Sequence, residues 1–211
     1  MSERGHRHGG GGHGHGRDEH GNPEDFEHYL SKLEDPDRVA WQKPDEVVAA
    51  LELAPGAIAC DLGAGPGYFA IRMARAVGPA GRVHALDVDP RMLAVLARRV
   101  REAGVSNVIP HLASGSDPAP PEPCDLVLLV NSFHHFRDGV GTLRRLAESL
   151  RPGGRIANID FREGDLPVGP PPDHKVSRAS FLAAAAAADL EVAAEKTFLP
   201  HQYFVLLQPR N

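Results

Sequence analysis

The stretch "CDLGAGPGYFA", Cys60 to Ala70, places three glycines at alternate positions between an apolar run and a helical one. Glycine has no Cβ, so its backbone adopts left-handed angles at low cost and approaches a ligand closely. In a doubly wound sheet the ligand lies beyond the carboxyl ends of the strands, next to the loop that follows the first strand. Gly63, Gly65 and Gly67 therefore predict a ligand cradle.

The chain around this stretch alternates between strand-like and helix-like segments. From Ala57 the apolar runs "AIACDL", "RVHALDV", "NVIPHLA", "DLVLLV" and "GRIANID" are separated mostly by segments long enough for crossover helices, which favours a parallel sheet. The last two runs, "EVAAEKTFL" and "YFVLLQP", are joined by only "PHQ", so they predict an antiparallel pair. We expect an α/β fold: a Rossmann-like doubly wound seven-stranded sheet, mostly parallel, with a C-terminal antiparallel hairpin.

Composition excludes several classes of partner. A formal net charge of −5 over 211 residues disfavours a nucleic-acid partner and favours a small-molecule substrate. We expect a cytoplasmic protein without a membrane partner, because no run reaches the length of a bilayer span and the first residues lack a signal-peptide core. Cys60 and Cys124 each precede an Asp in a predicted strand and are expected to be buried, reduced thiols.

The N-terminal segment differs from the rest. Residues 1–22 consist mainly of Gly, His and charged residues, so we expect a disordered tail. Its histidines can bind a divalent metal ion weakly, although their spacing is irregular; they are His6, His8, His13, His15 and His20. The predicted domain spans residues 23–211, with N-terminal helices over 23–53 and the Rossmann-like core over 57–211. No pattern indicates an oligomeric state.

A second candidate site residue follows the next strand. Asp87 in "HALDVDP" can accept hydrogen bonds from both hydroxyls of a ribose. Asp89 and Pro90 are predicted as the N-cap and first residue of the next helix. A dinucleotide fingerprint G-x-G-x-x-G would need glycine at position 68, which is Tyr68. The pattern is G-x-G-x-G instead.

Over about residues 40 to 207 the chain resembles class I S-adenosylmethionine-dependent methyltransferases. The resemblance lies in the glycine triplet, Asp61 before it, Asp87 after it, the stretch "LVNSFHHF" and the turn "LRPGGRI". The chain is most similar to small-molecule enzymes of the methyltransferase-11/25 type, which include quinone-ring C-methylating enzymes. The resemblance implies S-adenosylmethionine as cofactor. It places Asp61 at the amino end of the methionine moiety and the three glycines below that moiety. Further implied contacts are Asp87 with ribose, Val88 and Met92 with adenine, and Asn131 with methionine.

The sequence departs from the family after the third strand. The family commonly has "GDA" there, with an Asp that meets the adenine amine, whereas this chain reads "LASGSDP". Ser114, Ser116 and Asp117 are the alternatives for that contact. "NSFH" also differs from the N-P-P-Y sequence of the amide and adenine N-methyltransferases, which disfavours those substrates.

Methyl transfer is an in-line displacement in which positioning supplies much of the rate, and a base is needed only where the acceptor must lose a proton. His134 and His135, just past the fourth strand, are the candidate catalytic bases; capping of the following helix or a backbone contact is the alternative for each. Other candidates for the substrate wall are Trp41, Gln42, Phe161, Arg162 and His174.

The predicted function is methyl transfer from S-adenosylmethionine to a small-molecule O, N or C atom, with phenol-like and quinol-like acceptors included. Two alternatives stay open. One is a non-catalytic module that binds the cofactor without turnover. The other is a metal- or metalloid-handling methyltransferase that uses the His-rich tail, which two cysteines in the whole chain make less favourable.

Overall fold

The computed structural model describes residues 25–114 and 118–210. Its centre is one seven-stranded sheet. The strands are β1 Ile58–Leu62, β2 Arg82–Asp87, β3 Val108–Leu112, β4 Cys124–Val130, β5 Leu150–Phe161, β6 Leu190–Lys196 and β7 Gln202–Pro209.

The strand order is β3-β2-β1-β4-β5-β7-β6. Strands β1 to β5 pair in parallel, and β7 runs antiparallel between β5 and β6. The chain moves outward from β1 to β3 and then returns to the other side of β1 as β4. This reversal opens a crevice at the carboxyl ends of β1 and β4, where α/β folds bind ligands. The predicted doubly wound sheet and its C-terminal hairpin are confirmed.

Helices cover both faces of the sheet. The helices are α1 Phe26–Leu33, α2 Arg38–Gln42, α3 Pro44–Ala50, α4 Ala70–Val77, α5 Pro90–Glu102, α6 Gly139–Glu148 and α7 Arg178–Ala187. Asp89 caps α5 by accepting a hydrogen bond from the backbone N–H of Arg91, and Pro90 occupies the first turn, as predicted. Pro44 likewise begins α3 after Lys43, whose left-handed φ of 46° ends α2.

Two apolar cores lie on opposite sides of the sheet. One packs α3, α4 and α5 against it, with Met73 and Leu96 fully buried. The other packs α6 and α7 and includes Phe181. Cys60 and Cys124 are buried free thiols in this second core, as predicted, and burial raises the pKa of both. Neither thiol is therefore suited to act as a nucleophile.

The turn "LRPGGRI" lies within β5 rather than before it. Leu150 pairs with Cys124, and pairing resumes at Arg155 opposite Leu126 after an irregularity. A Cβ on Gly154 would lie 2.9 Å from the carbonyl oxygens of Arg151 and Cys124. Only glycine allows this close backbone approach.

None of the helices in the two described stretches has the length and apolarity to cross a bilayer.

A polar cluster joins β2, β3 and the segment before β4. The Nδ1 atom of buried His84 lies 2.9 Å from Nε2 of His111, and its Nε2 atom lies 2.7 Å from Oε1 of Glu122. Arg82 donates to both carboxylate oxygens of Glu122 at 2.6 and 2.9 Å. The contact between the two imidazoles needs one donor and one acceptor nitrogen, so it is incompatible with protonation of both rings.

This cluster predicts an acid-sensitive fold. Burial, assisted by the charge of His84, lowers the pKa of His111. A histidine whose pKa is lower in the folded state binds protons preferentially when unfolded, so stability should fall as pH drops below about 6.5. Urea unfolding at pH 7.5 and at pH 5.5 measures how much unfolding free energy is lost on acidification, and this loss should be smaller for His111→Gln than for the wild type. The exposed control His174→Gln should lose as much unfolding free energy as the wild type. An equal loss in all three proteins would contradict the prediction.

Candidate functional site

A cavity of about 710 Å³ opens at the carboxyl ends of β1, β2 and β4. Its walls come from the loops after these strands, from the segment after β3, and from α1 and α2. Ten residues singled out in the sequence line it: Asp61, Gly63, Gly65, Asp87, Val88, Met92, Ser114, Asn131, His134 and His135. The topology thus brings together residues that are up to 74 positions apart in the chain.

The three glycines have different surroundings. A Cβ on Gly65, which has a φ of 52°, would meet only Leu33 Cδ1 at 3.9 Å, so this position faces the cavity. A Cβ on Gly63 would lie 2.8 Å from Cβ of Ser132, which shows how closely the loops after β1 and β4 approach. Gly67 does not line the cavity, and a Cβ added there would lie 3.1 Å from Cγ of Leu96 in α5. Gly65 is therefore the bare backbone that a ligand would meet.

Asp87 fixes this loop to the end of β2. Its Oδ2 atom accepts a hydrogen bond from the backbone N–H of Gly65 at 2.8 Å, and Oδ1 accepts from that of Asp89 at 2.9 Å. Burial raises the pKa of Asp87, and these backbone hydrogen bonds oppose the shift. Each carboxylate oxygen has a further lone pair, so the group can still accept hydrogen bonds from a diol in the cavity.

Asp61 is a buried acid of the site whose hydrogen bonds are incomplete. Its side chain is buried and its Oδ2 atom has no hydrogen-bond partner. Burial raises the pKa of Asp61 to about 7, and the negative charge of Asp87 adds to the shift, while a backbone hydrogen bond from Ala70 opposes it. A buried, unpartnered carboxylate oxygen is costly. A cationic group bound in the cavity would compensate for this cost.

The burial of Asp61 should make Asp61→Asn more stable than the ligand-free wild type. Because the folded pKa is about 7 and the unfolded one about 3.9, the wild type loses stability as pH rises from about 4 to 7. At pH 8 the variant should gain on the order of 2 to 4 kcal/mol in unfolding free energy. At pH 4.5 most of that gain should vanish.

Chemical denaturation at both pH values measures this difference. The exposed control Asp173→Asn should match the wild type at each pH. A gain in Asp61→Asn that did not depend on pH, or no gain at pH 8, would contradict the assignment of a raised pKa to Asp61.

The helical wall carries residues that the sequence analysis missed. Arg38 of α2 lines the cavity together with Tyr68, over whose ring its guanidinium lies at 4.0 Å. Arg38 donates to the carbonyl of Leu33 at 2.7 Å and to the side chain of Gln42. Burial lowers the pKa of Arg38 to about 10, so it remains a cation at neutral pH. In "DPDRVAWQ" nothing distinguishes it from a solvated charge.

Two side-chain hydrogen bonds help to hold the segment after β4. Oγ of Ser132 donates to the carbonyl of Leu62 at 3.0 Å, which ties this segment to β1. Asn131 has a left-handed φ of 54°, and its Oδ1 atom accepts from Nε2 of Gln202 at 2.7 Å. The amide of Asn131 is thereby oriented at the cavity wall.

The two candidate bases have different environments. Nδ1 of His134 lies 3.2 Å from Oδ2 of Asp160, a fully buried residue whose Oδ1 accepts from the backbone N–H of Phe161. The His134 side chain is 13% exposed, whereas His135 is exposed and contacts it ring to ring at 4.1 Å. The N-cap of α6 is Asp138, so neither histidine caps that helix. Asp160 is thus a carboxylate partner for the ring of His134.

Five wall candidates from the sequence do not line the cavity. The ring of Trp41 packs against Phe161 at 5.7 Å. Arg162 donates to the carbonyls of Gln202 and Leu199. The five residues are Trp41, Gln42, Phe161, Arg162 and His174.

Some predicted features lie outside the described residues. These are Ser116, Asp117 and the His-rich tail with its predicted weak metal binding. Across residues 25–114 and 118–210, no three His, Cys, Asp or Glu side chains converge into a metal site.

Residues 59–154 match a family model described as a methyltransferase domain. Demethylmenaquinone methyltransferase of Listeria welshimeri is 31% identical over 130 residues, which are 61% of this chain and 54% of that protein. Aklanonic acid methyltransferase of a Streptomyces species is 35% identical over 114 residues, 53% of this chain and 52% of that protein. The chain spans about half the length of the curated relatives it matches.

Solved structures share the fold. A SAM-dependent methyltransferase from Aquifex aeolicus superposes with a TM-score of 0.79 at 24% identity, covering 84% of this chain and 95% of that one. A magnesium protoporphyrin IX methyltransferase from Synechocystis, solved with bound SAH, has a TM-score of 0.65 at 16% identity, covering 83% and 85%. These structural matches confirm the fold, and the family model and the curated relatives confirm the resemblance to class I S-adenosylmethionine-dependent methyltransferases that the sequence indicated.

Proposed function

We propose that this chain, a relative of the class I S-adenosylmethionine-dependent methyltransferases, binds S-adenosylmethionine in the cavity and transfers its methyl group to a small organic acceptor. The observation that carries the proposal is the convergence of Gly65, Asp87 and the unpartnered carboxylate of Asp61 on one cavity. These three groups provide a bare backbone, an acceptor for a diol and a partner for a cation. A ribosylated amino acid needs all three.

The proposed binding mode follows from these chemical properties. Gly65 lets the ligand lie against the loop after β1, Asp87 accepts from the ribose hydroxyls, and Asp61 pairs with the methionine ammonium. The buried side chain of Met92 and the half-buried Val88 offer apolar contact to adenine. Ser114, which also lines the cavity, is proposed at the adenine end, and Asn131 at the methionine end. The bound cofactor supplies an electrophilic methyl group.

We propose a phenol-like or quinol-like acceptor. Tyr29, Tyr68 and Phe136 line the same cavity, and aromatic walls favour a planar ring. Two curated relatives are named for demethylmenaquinone and aklanonic acid, which supports an organic ring as acceptor. An O, N or C atom of such a ring would receive the methyl group.

We infer that His134 is the base, because its ring is largely buried at the cavity and its Nδ1 atom lies 3.2 Å from the carboxylate of Asp160. If the Nδ1–H of His134 donates to Asp160, Nε2 is the nitrogen left to take a proton from the acceptor. Asp160 would then act as a positioning residue, since it fixes the tautomer and orientation of the ring and does not touch the acceptor. His135 is proposed to shape the entrance instead.

We infer a cytoplasmic location from Cys60 and Cys124, whose free buried thiols suit a reducing compartment. The net charge of −5 supports a small-molecule partner over a nucleic acid.

The cofactor assignment is tested by titrating S-adenosylhomocysteine into the wild type, Gly65→Val and Gly104→Val. Gly104 also has a positive φ, of 66°, with nothing within 4 Å of its Cβ position, so its variant carries backbone strain without obstructing the cavity. Wild type and Gly104→Val should bind within threefold of each other by calorimetry. Gly65→Val should lose at least about 100-fold in affinity, because its side chain both strains the turn and enters the ligand space.

Equal affinity in all three proteins would mean that the loop after β1 cradles nothing. Transfer itself is tested by incubating the wild type with S-adenosylmethionine and a panel of phenols, quinols and amines, with product mass and released S-adenosylhomocysteine as readouts. Tight binding without turnover of any acceptor would leave the non-catalytic module as the function.

With an acceptor in hand, His134→Gln should lower kcat by a factor on the order of 10² to 10⁴, the range for a positioned base. Affinity for S-adenosylhomocysteine should stay within about threefold, because the base faces the acceptor. His135→Gln is the matched control and should retain kcat within a fewfold of the wild type. Turnover within a fewfold of the wild type in both variants would leave catalysis by proximity alone.

A further inference from the structure

Arg137 is an exposed cation that lines the cavity from the segment between β4 and α6. Within residues 25–114 and 118–210 its side chain takes part in no hydrogen bond or ion pair. Two acids of this region are engaged elsewhere. The carboxylate of Asp138 accepts from the backbone N–H of Gly141 at 2.8 Å, and that of Asp160 faces His134. The guanidinium of Arg137 is therefore left for a ligand of the cavity.

The backbone that carries Arg137 is held on both sides. Before it, the buried ring of Phe133 packs edge to face against Phe181, with ring centroids 4.8 Å apart. After it, a Cβ on Gly139 would lie 2.7 Å from Cζ of Phe133, so the start of α6 lies directly on the same ring. Asp138 also caps α6. Arg137 extends from a fixed backbone, so a bound ligand would need to order only its side chain.

The elements around the cavity differ in the charge they contribute. Both acids of the cavity lie at strand ends, Asp61 in β1 and Asp87 in β2, and the proposed binding mode assigns both to the cofactor. Arg38 on the helical wall is a cation. The ionisable side chains that the segment after β4 contributes are all basic: His134, His135 and Arg137. An acceptor that approaches this segment is attracted to it if it carries negative charge and repelled if it carries positive charge.

The shape of the groups beside Arg137 narrows the chemistry of that negative charge. Phe136 lines the cavity next to Arg137 and packs edge to face on Phe133, with ring centroids 6.1 Å apart. It offers apolar surface to a planar ring. A guanidinium is a planar fork of N–H donors that matches a carboxylate through two parallel hydrogen bonds. The pair therefore suits an aromatic ring that carries a carboxylate.

We propose that Arg137 binds a carboxylate carried by the acceptor and so selects hydroxylated aromatic acids over their uncharged analogues. The proposal rests on the proposed function and names the acceptor class of the same site. In the transfer, a ring hydroxyl oxygen gains the methyl group from the cofactor's sulfur and loses its proton to His134, while the carboxylate is unchanged. Arg137 determines specificity and takes no part in the proton transfer.

The experiment uses a panel of hydroxybenzoates and hydroxynaphthoates together with the corresponding primary amides, which keep the shape of each acid without its charge. Each compound is titrated by calorimetry into wild type, Arg137→Met and Arg137→Lys, all saturated with S-adenosylhomocysteine. At least one acid should bind the wild type about tenfold or more tightly than its amide, as expected for hydrogen bonds to a charged group. Arg137→Met should bind that acid and its amide within about threefold of each other, and Arg137→Lys should retain part of the preference.

Arg75→Met is the matched control. Arg75 of α4 is likewise exposed and without a partner among the described residues, but it does not line the cavity. Its variant loses the same charge elsewhere and should keep the wild-type preference for the acid. Affinity for S-adenosylhomocysteine should stay within about threefold of wild type in every variant, because Arg137 faces the acceptor. This second readout separates a loss of specificity from damage to the fold.

Three outcomes would overturn the assignment. In the first, the loaded wild type binds no acid of the panel or binds acids and amides equally. In the second, Arg137→Met keeps the preference for the acid. In the third, the wild type converts an acid of the panel into its methyl ester, so that the carboxylate is itself the acceptor. Each result leaves the proposed function standing if the wild type binds S-adenosylhomocysteine, whereas a folded wild type that does not bind it would overturn both.

Discussion

The site depends on the hydrogen bond from the backbone N–H of Gly65 to the carboxylate of Asp87. It joins the loop after β1 to the end of β2, two strands that pair in parallel with Leu62 opposite Leu86. The loop can therefore expose bare backbone to the cavity without being free to collapse into it. The second oxygen of Asp87 accepts from Asp89, the residue that caps α5. One carboxylate thus organises two loops and a helix start.

Around this frame the cavity keeps charges that the fold does not neutralise. Asp61 retains an unpartnered oxygen and a raised pKa, and Arg38 retains a lowered pKa because of its burial. A structure selected for stability alone would pair these groups or replace them with apolar side chains. Each group therefore stays available to a ligand group of opposite charge, and the burial of unpaired charge costs the ligand-free protein stability.

Local sequence patterns were sufficient to predict which residues lie at the cavity where those residues follow a strand end within a few positions. The spacing of glycines, the acid that follows β2 and the Asp89-Pro90 cap are readable because each depends on its immediate neighbours. The sequence did not predict the positions of Arg38 and Asp160 at the site. The first acts from a helix of five residues whose position over the cavity is set by tertiary packing, and the second contacts a histidine 26 positions earlier. The five aromatic and polar wall candidates do not line the cavity, because their positions are also set by tertiary packing that local sequence does not reveal.

The pairing of β4 with β5 explains why a buried acid meets His134. The parallel register places Leu129 opposite Asn158 and Val130 opposite Ile159, so Asp160 comes level with the first residues beyond β4. Asp160 is fully buried, and its backbone also pairs with Tyr203 of antiparallel β7. The C-terminal hairpin thus makes β5 an interior strand of the sheet at this point rather than an edge strand. A buried carboxylate orients a neighbouring imidazole more strongly than an exposed one would.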